Sequence, residues 1–135
     1  MKTAIEKFNK EYFETVKVIQ KNFSDMKVGQ KMLISSPKSI AKFIKQIPFG
    51  KQSNIRNMRF YLAKRANADN TCPLTTGIFL RIAIEASLEE AKSKTPNLPF
   101  WRLINQNSPI SKKLSISSNY ISNMRKLEGL NKLKV

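Results

Sequence analysis

Residues 54–92 read NIRNMRFYLAKRANADNTCPLTTGIFLRIAIEASLEEAK, and their reading decides the fold. Asn54 is a good helix N-cap, and Ile55, Met58, Tyr61 and Leu62 follow at helical spacing. This predicts a helix over about 55–67 with Arg56, Arg59, Lys64 and Arg65 making it strongly basic. Asn67 to Thr71 are turn-formers. Pro73 then opens a longer helix to about Lys92 whose apolar residues (Ile78, Phe79, Leu80, Ile82, Ala83, Ile84, Ala86, Leu88) cover most of its circumference. A helix apolar on most sides is central and buried. Two helices joined by a short turn make a helix-turn-helix pair, a moderate signal because many all-helical proteins contain one. The second begins with Thr75, Thr76 and Gly77, small residues that let another molecule approach closely.

Outward from this pair the pattern stays helical. Ser36 and Pro37 cap and open a helix with Ile40, Phe43, Ile44 and Ile47 on one stripe and Lys38, Lys42 and Lys45 mostly off it; Pro48 and Gly50 end it. A short extended piece is expected at 51–53. Ile5, Phe8, Tyr12, Val16, Ile19 and Phe23 predict a helix over 3–23, followed by a linker at 24–31. That helix packs on its own domain or on a second copy. FWRLI at 100–104 reads as a short strand, 105–117 as a wing with at most one helical turn, and Ser118 to Gly129 as a last helix. The expected fold is mainly α: a winged helix-turn-helix with a short β wing in residues 31–135 and an N-terminal helical extension and linker in residues 1–30.

The chain has 135 residues, enough for one domain with a real core. Its 25 Lys and Arg against 9 Asp and Glu give a net charge of +16, the footprint of a polyanion binder. A Lys-rich composition maintained for solubility is the bland alternative. Histidine is absent, which excludes His general bases, Ser-His and Cys-His nucleophiles and His-containing zinc sites. The single cysteine, Cys72, excludes an internal disulfide and a Cys metal cluster. No metal and no cofactor are expected. No apolar run approaches the ~18 residues of a membrane span, and the charged N-terminus does not read as a signal peptide. A cytoplasmic location follows as an expectation.

Three ordered stretches bring a family into view. IPFGK at 47–51, PFWRLI at 99–104 and LEGL at 127–130 resemble, respectively, the Ile-Pro-x-Gly-Lys, Pro-Cys-His-Arg-Val-Ile and Leu-Glu-Gly-Val segments of the DNA-binding domain of the O-alkylguanine-DNA alkyltransferases. The resemblance covers residues 33–130, and its strength lies in the ordered set. It implies a winged helix-turn-helix that enters the minor groove and flips a damaged guanine into a pocket. TCPLTTGIF and FWR also resemble segments of small bacterial relatives. The departures concern the chemistry. Phe100 stands where the family has its nucleophilic Cys, and Trp101 where it has the activating His. Gly77 stands at the family's base-replacing Arg and Ile55 at its Tyr. A phenyl ring offers no nucleophile, so the resemblance implies a non-catalytic, alkyltransferase-like DNA-binding protein that recognises damaged or distorted DNA.

Candidate site residues follow. Arg56, Arg59 and Lys64 on the first helix and Lys112 and Lys113 on the wing would meet phosphates of double-stranded DNA. Thr75, Thr76 and Gly77 would position the second helix, whose N-terminus favours anions. Phe100, Trp101 and Arg102 either close the core or line a base or lesion pocket, with Arg102 orienting it or meeting a phosphate. Two rivals stand beside this reading. One is a protein-interaction module using the N-terminal helix, through a homodimer or another partner. The other is a cryptic alkyltransferase using Cys72, whose place before a helix could lower its pKa; a structural cysteine is the plainer reading.

Overall fold

A computed structural model of the chain describes residues 3–130; residues 1–2 and 131–135 of the expected domain spans lie outside the described ones. It is mainly helical with one small sheet. The order is α1 (Ala4–Asn9), β1 (Thr15–Val18), β2 (Lys31–Ile34), α2 (Pro37–Lys45), α3 (Ile55–Arg65), β3 (Asn70–Thr71), α4 (Pro73–Ala91), 3-10 turns at Phe100–Arg102 and Pro109–Lys113, and α5 (Ser118–Leu127). Side-chain oxygens of Ser36, Asn54 and Ser117 cap α2, α3 and α5 by accepting a backbone N–H of the first turn, which satisfies donors that a helix start leaves free.

As its all-round apolar sequence requires, α4 is central. It packs against α1 and α2, and Leu80, Ala83 and Ile84 meet Ile40, Ile44, Met58, Leu98, Phe100 and Ile121 in one core. Its first half is nevertheless open on one side, where Leu74 and Ile78 face solvent. The connection between α3 and α4 is built into the sheet: β3 pairs parallel with β2, and β2 pairs antiparallel with β1. α3 packs on β3, while α4 packs mainly on α1 and α2.

Local expectations are corrected at several points. The helix expected over 3–23 ends at Asn9, and Lys10 turns to φ −58°, ψ 146°. Three β-branched residues, Thr15, Val16 and Val18, favour strand over helix here, and β2 supplies the partner ladder. A hairpin therefore crosses the boundary drawn at residue 30, and α1 docks on α4 through Glu89, which accepts the N–H groups of Ala4 and Ile5 at 2.8 and 3.2 Å. FWRLI is a 3-10 turn, not a strand. No β wing forms at 105–117: Pro109 cannot donate to a ladder, and Asn105, Ser108 and Ser111 fold the segment on itself, Ser111 Oγ donating to the carbonyls of Gln106 and Ser108. Residues 51–53 form no strand, although the Ser53 N–H donates to the Arg102 carbonyl at 2.8 Å.

Candidate nucleic-acid interface and the node behind it

The segments at 47–51, 99–104 and 127–130 meet at one carboxylate. α5 ends in a Schellman turn: the Leu130 N–H donates to the Arg125 carbonyl and the Gly129 N–H to that of Lys126. Gly129 takes φ 76°, a conformation costly for other residues. This turn delivers Glu128, whose side chain is only 3% exposed. Trp101 Nε1–H donates to its Oε2 at 2.6 Å, Arg102 Nε–H to Oε1 at 2.9 Å, and the Gly50 N–H to Oε1 at 2.9 Å. Arg102 Nη1 also donates to the Ile47 carbonyl at 2.7 Å. Burial pushes the Glu128 carboxyl up, but the hydrogen bonds from Arg102, Trp101 and Gly50 outweigh it and hold the group below its ordinary value. Behind the node Arg125 donates to the Trp101 carbonyl at 2.8 Å and to Gln52 Oε1 at 2.6 Å.

This settles why Phe, Trp and Arg stand together. Phe100 is fully buried and Trp101 is 3% exposed. Their rings meet edge-on at 5.3 Å, and Trp101 meets Tyr120 in the same way at 6.4 Å. Neither ring is free to stack on an extruded base, so the pocket reading of Phe100 and Trp101 is corrected to core. Arg102 is a tie between segments, its guanidinium 5.7 Å from the exposed Phe49 ring. Clefts open elsewhere. One of about 870 Å³ lies between α1 and α4, with Ile78, Arg81, Glu85 and Glu89 in its wall.

The proposed phosphate contacts divide. Arg56, Lys64, Lys112 and Lys113 are exposed, as is Gly77, where an added Cβ would meet open space. Arg59 is corrected: it is buried, donates from Nε to the Thr71 carbonyl at 2.9 Å and holds Asp25 with both terminal nitrogens at 2.7 and 2.9 Å. Thr76 is corrected likewise, buried with its hydroxyl donating to the Cys72 carbonyl at 2.6 Å. Thr75 is partly buried, and its hydroxyl is sealed without a hydrogen-bond partner among the described residues. Cys72 is 4% exposed at the head of α4; its thiol could meet an alkylated base only if the junction of β3 and α4 opened.

Sequence reasoning missed how unevenly the charges are employed. Seven of the 9 acids accept hydrogen bonds inside the fold. Glu6 caps α1, Glu14 accepts from Ser36 and Ser39, Asp25 from Arg59, Asp69 from the Lys31 N–H, Glu85 from Ser115, Glu89 from α1, and Glu128 from the node. Among the described residues the only ion pairs are Arg59–Asp25 and Arg102–Glu128. The cations of Lys38, Lys42, Lys45, Lys51, Arg56, Lys64, Arg65, Lys112 and Lys113 are exposed and enter neither. From Met26 to Ala68 there is no acid at all, a signal the sequence did contain. Among the described residues no cluster of His, Cys, Asp or Glu could hold a metal ion, and no helix is long and apolar enough to cross a membrane.

Comparison with known proteins finds no match among family models, curated proteins or solved structures.

Proposed function

We propose that the chain is a non-enzymatic DNA-binding protein that grips double-stranded DNA chiefly through its phosphates. The observation that carries this is the division of charge: seven of the 9 acids accept hydrogen bonds inside the fold, while most of the lysines and arginines face solvent. A surface of that kind gains affinity by releasing counterions from a polyanion. Under this reading the fold is a variant of the winged helix-turn-helix in which the Pro109–Lys113 turn stands at the wing. The kinship with alkyltransferase-like proteins is part of the same proposal, supported by the convergence of the 47–51, 99–104 and 127–130 segments on Glu128. Phe100 in place of a nucleophile and the buried Cys72 thiol favour binding over alkyl transfer.

The test is a salt titration of binding to a fluorescent plain duplex, run beside one containing an alkylated guanine. If about five cations meet phosphates, log K falls with log salt at a slope near −4 to −5. Absence of binding at low salt overturns the proposal. Tighter binding to the alkylated duplex supports lesion recognition, and a gain in protein mass after incubation would revive alkyl transfer through Cys72.

A protein-interaction reading has one observation of its own. β1 is an edge of the sheet with all four residues exposed, Val16 and Val18 among them, and Phe13 just before it faces solvent. An open apolar edge is a template for strand addition. Sedimentation of the intact chain against a Val16→Lys, Val18→Lys double variant tests it; identical monomer masses count against it.

A further inference from the structure

On the outer side of α3, Phe60 lies between Arg56 and Lys64, four residues from each. All three are exposed, Phe60 by 53%. A single exposed phenylalanine is ordinary, but this one is set apart by its surroundings. α3 already has a complete inward ridge in Met58, Leu62 and Ala63, so Phe60 is not a core residue displaced by a slip in register. Arg56 and Lys64 stand two turns apart, a rise of about 12 Å with the ring midway. One residue on, Tyr61 carries the Arg65 guanidinium 5.6 Å from its ring centre and packs against Phe43 with ring centres 5.1 Å apart and planes tilted by 56°. Asp25, whose charge reaches Arg56, is already held by two hydrogen bonds from Arg59. The face is thus cationic, with an unoccupied aromatic ring at its centre.

We infer that this face of α3 takes unpaired nucleotides, with Phe60 stacking on an exposed base while Arg56 and Lys64 hold the flanking phosphates. The inference rests on the DNA-binding reading and deepens it. Phosphate contacts alone do not favour unpaired over paired DNA, whereas a protruding ring does: within a duplex the base faces are already stacked on one another, and in a bulge or gap they are available. Stacking of this kind is tolerant of sequence and amounts to roughly tenfold in affinity per base. The exposed Phe60 ring supplies the aromatic platform that the buried Phe100 and Trp101 do not.

The test compares the intact protein on a fluorescent duplex and on the same duplex carrying a three-nucleotide bulge. The wild type is expected to bind the bulged duplex about tenfold tighter. Phe60→Ala is expected to remove that preference and leave plain-duplex affinity within about twofold, and Phe60→Tyr to keep the preference. Equal binding of both duplexes by the wild type, or a preference that survives Phe60→Ala, overturns this inference alone. Absence of binding to either duplex at low salt overturns the DNA-binding reading together with it. A wild-type dimer that Phe60→Ala dissolves in sedimentation assigns the ring to a self-contact and also overturns it.

Discussion

At Glu128, a tryptophan and an arginine are drawn out of solvent and donate to one carboxylate. On the outer face of α3, an arginine, a phenylalanine and a lysine stand in solvent and enter no ion pair among the described residues. The residue types are nearly the same, and burial separates their roles. Inside, a charge must be paired because desolvation is costly, so side chains there fix the fold. Outside, water solvates each charge, and the group is left free for a partner. Arg59 and Arg56 repeat the contrast one turn apart on a single helix, the first clamping Asp25 and the second open.

The sharpest way to break this contrast is Glu128→Ala. It strands the Arg102 guanidinium, whose side chain is 15% exposed, without its counter-charge. Removing one partner of a buried pair costs about 3–5 kcal/mol, so the urea midpoint should fall far, while the salt slope of DNA binding by the folded protein stays unchanged. A loss below about 1 kcal/mol would mean that the node is not the structural tie described. The same carboxylate sets an acid limb. Its folded pKa lies below the ordinary 4.5, so its contribution is complete above that value and is lost as pH falls through the folded pKa. Glu128→Gln should flatten this limb in stability measured from pH 6 to pH 3.

Next in size is Arg59→Ala. Three side-chain hydrogen bonds to Thr71 and Asp25 are lost; α3 is released from the loop carrying Asp25, while the Thr71 hydroxyl keeps its bond to the backbone carbonyl of residue 59. We expect about 2 kcal/mol of destabilisation and no change in the salt slope. A slope that falls by one, with stability intact, would return Arg59 to the DNA-binding surface.

Arg56 and Arg59 also show how far the sequence could be read. Apolar stripes and N-cap residues located α2, α3 and α5, and Pro73 with an apolar run on most sides located α4, because all of these are local signals. The same logic failed for 10–23, where Tyr12, Val16, Ile19 and Phe23 keep a helical spacing by coincidence and the deciding partner, β2, lies in a ladder the spacing cannot see. Arg59 read as a surface cation because it is the same residue type as Arg56; the Thr71 carbonyl and Asp25, 12 and 34 residues away, turn it inward. Thr76 failed in the same way, since its hydroxyl is satisfied by its own helix. At the node the three motifs were legible as segments, but their joining at Glu128 depends on the Schellman turn and on the fold between them.

Trp101→Phe sharpens the inner half of the contrast. An aromatic ring is retained, but one ring of the buried indole goes together with the Nε1–H donor at 2.6 Å from Glu128. Arg102 and the Gly50 N–H remain on the carboxylate. The expected loss is about 1–2 kcal/mol, read in thermal unfolding by circular dichroism. A variant that unfolds within about 0.5 kcal/mol of the wild type would mean that the Trp101–Glu128 hydrogen bond contributes little to the node.

Arg56→Ala is the smallest perturbation to the fold and the cleanest on the outer face. The side chain is exposed and makes no ion pair, so stability should stay within about 0.5 kcal/mol. Binding should weaken to a similar degree on every plain duplex, because a phosphate contact carries no sequence information. The magnitude of the salt slope should drop by about 0.9, the share of one neutralised phosphate. Lys113→Ala offers a parallel measurement at the Pro109–Lys113 turn. If Arg56→Ala lowers the slope and Lys113→Ala does not, phosphates are held by α3 and not by the 3-10 turn. If both lower it, the duplex spans the two. An unchanged slope in Arg56→Ala would remove α3 from the contact surface, and the lysines of α2, which share the same acid-free stretch of chain, would be the next to substitute.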